Sequence, residues 1–132
     1  MDYKKYYKEI NAQKQINKLA KKYKDKKIII YGTGLMSDVL MENYDVSKLN
    51  IVAFADGKYQ LNSDEKYHSY NTINPKELIG IDFDILLINV LRYKDIENTT
   101  KFGILIGSKN ENKIVKRLLE PSLKFLIKNV LF

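Results

Sequence analysis

The apolar positions of this chain change their period from one stretch to the next. Ile28, Ile29, Ile30 and Tyr31 form an unbroken apolar run. That is the pattern of a short strand covered on both faces of a parallel sheet. Leu35 to Asn43 follows, with apolar residues at Leu35, Met36, Val39 and Leu40, which is helical spacing. Upstream, Tyr3, Tyr6, Ile10, Ile16, Leu19, Ala20 and Tyr23 recur between lysines and predict an amphipathic helix over residues 3–24. The stripe fails near Gln13, where a kink or a division into two helices is expected.

Downstream, strands are expected at Asn50–Ala55, Tyr67–Ile73, Phe83–Asn89 and Phe102–Gly107, with a polar, mobile loop over residues 57–67. Asn74-Pro75-Lys76-Glu77-Leu78 reads as a helix start, with Asn74 capping, Pro75 at the first helical position and Glu77 reaching back. Helices are expected at Leu91–Thr100 and at Asn110–Glu120, the latter ended by Pro121. Leu123–Phe132 is apolar and must be buried; it fits either a final strand or an amphipathic helix. The alternation predicts an α/β fold in three layers, with a mainly parallel sheet of four to five strands. Residues 1–25 form an extra N-terminal helix, and residues 26–132 complete a single domain.

The turn between the first strand and its helix is where chemistry enters. Gly32 and Gly34 lie between an aliphatic strand and a helix, the context of a nucleotide-binding βαβ unit. Gly32 suits a tight turn, Gly34 lets a phosphate approach the backbone, and Ser37 takes the third small position. Thr33 and Leu35 complete the turn, and phosphates would sit at the N-terminus of the helix. Asp56 ends the second strand 22 positions after Gly34, where an acidic residue accepts hydrogen bonds from ribose hydroxyls. Its charge disfavours a 2′-phosphate, so NAD or a UDP-type ligand is expected over NADP. The Asp56-Gly57 pair equally suits a plain turn. Asn89 and Arg92 follow the carboxyl end of a buried strand and are further binding candidates; Arg92 either clamps an anion or stays at the surface. Lys58 could meet a phosphate from the neighbouring loop.

Composition narrows the function more by exclusion. The 132 residues contain no cysteine, which removes disulfides, thiolate nucleophiles and cysteine metal sites. No apolar run reaches the roughly 20 residues of a membrane span, no secretory signal is evident, and a cytoplasmic location is the default. The net charge of +7 raises nucleic-acid binding. However, 21 of the 23 basic residues are lysine, the exceptions being Arg92 and Arg117, which argues against that partner. His68 stands alone. Tyrosine–lysine pairs at reductase spacing, Tyr23 with Lys27 and Tyr44 with Lys48, fall away from the strand ends where a nicotinamide would lie. The chain thus offers a ligand site without evident catalytic machinery.

The order of signals over residues 26–107 resembles a known group of domains. Tyr-Gly-Thr-Gly after an aliphatic strand is followed by Phe-Ala-Asp-Gly, then Asn-Pro-Lys-Glu-Leu and Phe-Asp-Ile-Leu-Leu-Ile. This is similar to the small Rossmann-like domains of bacterial surface-polysaccharide enzymes. These include the N-terminal domains of PglD-type sugar-nucleotide acyltransferases and the CoA-binding-like domains of nucleotide-sugar dehydratases. The resemblance implies a nucleotide-sugar held by Gly32, Thr33, Gly34 and Asp56, in or beside a sugar-modifying enzyme. The hexapeptide repeats of the acyltransferases are missing, so a binding domain alone, a subunit of a complex or a fragment is expected. The rival reading is an interaction module that oligomerises through the N-terminal helix and C-terminal tail.

Overall fold

The computed structural model describes residues 1–121; the apolar segment Leu123–Phe132 lies outside the described residues. Two helices open the chain, α1 (Tyr3–Glu9) and α2 (Ala12–Lys22). The break expected near Gln13 occurs slightly earlier, at Asn11, whose φ of 53° places it in the left-handed region. Asparagine tolerates that conformation better than most residues because its short amide can bond locally. α1 begins at Asp2, whose carboxylate accepts the Lys5 N–H at 3.1 Å.

The remaining elements are β1 (Ile28–Tyr31), α3 (Leu35–Asn43), β2 (Ile51–Ala55), β3 (Lys66–Tyr67), β4 (Tyr70–Ile73), β5 (Ile85–Ile88), α4 (Tyr93–Thr99) and β6 (Ile114–Arg117). The fold is α/β, with a mostly parallel mixed sheet in the order β3-β4-β2-β1-β5-β6. β1 is central, paired in parallel with β2 on one side and β5 on the other. Its isoleucines are fully enclosed, because alternate residues face two separate apolar clusters. Ile28 and Ile30 point to one, with Tyr7, Ile16, Leu19 and Leu40 from α1, α2 and α3. Ile29 points to the other, with Leu78, Phe83, Leu86 and Leu105. The N-terminal helices are therefore part of the core of the sheet they precede.

Four stretches differ from expectation. Tyr67–Ile73 is two strands, β3 and β4, joined by an antiparallel turn at His68 and Ser69, both with positive φ. Residues 102–107 are not a strand. The chain continues from α4 into a π-helical turn, Thr100–Ile104, with Phe102 and Ile106 exposed and Leu105 buried. The fifth parallel position is instead filled by β6, taken from the stretch expected to be a helix. The two adjacent β-branched residues Ile114 and Val115 suit a strand, and β6 lies in register on β5, Val115 opposite Leu86. The sheet thus has six strands rather than four to five. Pro75–Ile79 is a 3-10 helix: Asn74 caps it by accepting the Lys76 N–H at 3.0 Å. Glu77 does not reach back in a capping box; its carboxylate accepts from the Asn62 N–H and so ties down the preceding loop. No helix among the described residues is long and apolar enough to cross a membrane.

Candidate functional site

Parallel pairing places the carboxyl ends of β1, β2 and β5 side by side, and the turns leaving them lie next to one another. The turn after β1 is dictated by Gly32. Its φ is +119°, and a Cβ there would lie 2.6 Å from the Asn89 carbonyl oxygen and 2.9 Å from Val90 Cγ1. Only glycine allows so close an approach between the β1 and β5 turns. Gly34 differs: a Cβ there would meet no atom within 4 Å. It precedes α3 directly, and the first-turn amides of any helix lack intrahelical acceptors. Leu35, the first residue of α3, projects outward and is 65% exposed.

Thr33 is buried and bound to Asp56. Its N–H and its hydroxyl both donate to Asp56 Oδ2, each at 3.0 Å. Asp56 Oδ1 accepts the Lys58 N–H at 3.2 Å. The Lys58 ammonium returns to the Thr33 carbonyl at 3.3 Å. The aspartate at the end of β2 therefore closes the glycine turn from the side. It remains half-buried. Burial, followed by the charge of Asp56, raises the Tyr31 phenol above its ordinary value.

Asn89 is placed differently from the expectation of a ligand contact. It is buried, and its amide donates to Ser37 Oγ at 3.1 Å and to the Tyr7 hydroxyl at 3.4 Å. Ser37 in turn donates to the Gly32 carbonyl at 2.7 Å, and Tyr7 donates to the Met36 carbonyl at 2.7 Å. This buried chain fastens α1, the first turn of α3, and the ends of β1 and β5 to one another. Burial, partly offset by the Asn89 amide, pushes the Tyr7 phenol far above its usual range. Tyr7 is absent from the apolar stripe read for this helix, and sequence patterning gives no sign of its role. A cleft of only about 20 Å³ separates Tyr6 and Met36 from Val90 and Leu91 here. α1 thus covers the end of β5.

Arg92 does not join the site. Its side chain is 84% exposed and pairs with Asp95 at 2.9 Å. The other arginine, Arg117 at the end of β6, holds its guanidinium 4.4 Å from the centre of the Tyr93 ring. Tyr93 donates to the buried Glu97 carboxylate, which also faces Lys94 at 3.2 Å and Lys101 at 3.6 Å. Burial and the bond to Glu97 push the Tyr93 phenol up to about 12. Burial opposes ionisation of Glu97, but the Tyr93 hydroxyl and the two lysines outweigh it and hold the carboxyl below its ordinary value. His68 sits at the tip of the β3–β4 turn. Lys27 pairs with Asp82, and Tyr44 packs edge-on against Tyr7 at 5.7 Å. Among the described residues, no group of three or more histidine or acidic side chains could hold a metal ion.

Searches of curated proteins and of solved structures return no significant match. A family model described as C2185-like, N-terminal, matches residues 24–114, from just before β1 to the first residue of β6. More than half of the chain falls within that match, and the protein belongs to the C2185-like family through this N-terminal domain.

Proposed function

We propose that this domain is a Rossmann-like, three-layer module that binds a nucleotide at the ends of β1 and β2. A nucleotide-sugar or NAD is the ligand that suits it best, in or beside a sugar-modifying enzyme. The observation that carries the reading is the pairing of two unlike glycines in the turn after the central strand. Gly32 is required by the fold, since a Cβ would meet the next turn. Gly34 has no such neighbour, and its lack of a side chain leaves space in front of α3. Anions are favoured there by the amides and dipole of the helix N-terminus. Asp56, already anchored on Thr33, offers a carboxylate edge to ribose hydroxyls, and Lys58 adds a positive charge beside it. Asn89 supports the site from behind, and Arg92 has no part in it.

The test is a thermal-shift series with UDP, UDP-sugars, NAD, NADP and CoA. A ligand present at 100 times its dissociation constant should add about 2.7 kcal/mol of stability. NAD should outperform NADP, because Asp56 repels a 2′-phosphate. Gly34→Val should abolish the shift and leave the melting temperature of the free protein nearly unchanged, since the added side chain enters open space. A flat response to all five ligand classes in the unmodified protein would overturn the proposal and favour the interaction-module reading.

A further inference from the structure

The positive charge of this protein belongs almost wholly to one stretch. The first 27 residues hold ten lysines against three acidic residues, whereas the other 105 hold thirteen basic and thirteen acidic residues. The net charge of +7 is therefore the charge of α1, α2 and their immediate flanks. α2 turns Ile16 and Leu19 to the core and leaves Lys14, Lys18, Lys21 and Lys22 exposed.

The fold adds to this charge at one place. A groove of about 340 Å³ runs between α2 and β6, with Lys18 and Lys22 on one wall and Lys116 and Arg117 on the other. Glu120 is the one carboxylate among its described lining residues, and Leu19 and Leu118 are buried beneath it. The lysines are held in position. The Lys22 and Lys116 ammonium groups lie 5.3 and 5.7 Å from the centre of the Tyr23 ring, one arriving from each wall. Gln15 ties the walls together, donating to the Glu120 carbonyl at 3.1 Å and accepting the Glu120 N–H at 2.8 Å.

We infer that this groove is a docking site for an acidic segment of a partner protein. The segment would set an apolar side chain toward Leu19 and Leu118 and carboxylates against Lys18, Lys22 and Lys116. Charge complementarity selects the sign of the partner, and the apolar floor selects its class. The floor of Leu19 and Leu118 suits an aliphatic side chain better than a nucleobase, and the neighbouring Tyr23 ring already carries Lys22 and Lys116. A flat lipid surface does not enter a concave groove, and α2 presents no large exposed apolar side chain to it. The site is separate from the turn at Gly34, so the inference stands whether or not a nucleotide binds there.

The full chain should be titrated into a fluorescein-labelled peptide of alternating glutamate and leucine, read by fluorescence anisotropy. A glutamate-only peptide and an oligothymidylate serve as competing probes. The alternating peptide should bind most tightly, with affinity falling as salt is added. Lys18→Glu with Lys22→Glu should weaken it by about tenfold or more. Lys4→Glu with Lys5→Glu, an equal change of charge on exposed α1 positions outside the groove, should leave most of the affinity. Melting temperatures of both double variants confirm that they fold. Absence of peptide binding would overturn the inference, as would equal losses in the two double variants. So would oligothymidylate or the glutamate-only peptide binding as tightly as the alternating one.

Discussion

Gly32 and Gly34 are two residues apart and chemically identical, yet their surroundings assign them opposite sensitivities. Gly32→Ala forces a Cβ to within 2.6 Å of the Asn89 carbonyl at a φ of +119°. The expected loss is about 2–4 kcal/mol, summing backbone strain and overpacking, measured by urea denaturation. Gly34→Ala should stay within about 0.5 kcal/mol of the parent. Asp56→Ala removes the shared acceptor of the Thr33 N–H and hydroxyl and leaves a buried donor unpaired. A cost of about 2 kcal/mol is expected in the same measurement. Glu97 contributes to the acid limb of stability. Its folded carboxyl titrates below the unfolded one, so its contribution is complete above the ordinary glutamate value of about 4.3. That contribution is lost as pH falls through the folded value. Glu97→Gln should flatten this part of the curve of melting temperature against pH.

At the scale of elements, the stretch from 100 to 117 decides between two ways of completing the sheet. Had Phe102–Gly107 been a central strand, Phe102 would have been core. Instead Phe102 is 69% exposed and Leu105 is fully buried. Phe102→Ser should therefore change stability by no more than about 0.5 kcal/mol. Leu105→Ala should cost about 2–4 kcal/mol, both read from denaturant midpoints. The same logic applies to the N-terminal pair. α1 and α2 meet at a left-handed Asn11, so Asn11→Gly should be nearly neutral. Asn11→Val should lose about 1 kcal/mol or more, because a branched side chain is strained there.

Across the whole molecule, charge and core are distributed in opposite senses. The helical pair that supplies Tyr7, Ile16 and Leu19 to the sheet also carries, with its immediate flanks, the entire excess of positive charge. Lys14, Lys18 and Lys22 follow one another at i, i+4 spacing on α2, an arrangement costing about 0.2–0.5 kcal/mol per pair in an isolated helix. Raising the sodium chloride concentration should screen this repulsion and raise the melting temperature. Lys18→Glu with Lys22→Glu should reproduce part of that rise at low salt. A basic face retained against its own repulsion is the feature that an acidic partner would relieve.

Local chemistry alone was enough to read β1, α3, β2, β5 and the capped turn at Asn74. A short all-apolar run between turn residues suits a buried strand, and Asn-Pro followed by Glu two residues later suits a helix start. The glycine turn was legible for the same reason. Residues 102–107 read as a strand and 110–120 as a helix, and pairing with β5 reversed both, since β6 and not the earlier stretch enters the sheet. Likewise the chemistry of Asp56 and Asn89 was visible in their types, but their partners lay 23 and up to 82 residues away. Tyr7 and the α2–β6 groove had no sequence signal at all. Each exists because distant segments are packed together, and a linear pattern carries no record of such encounters.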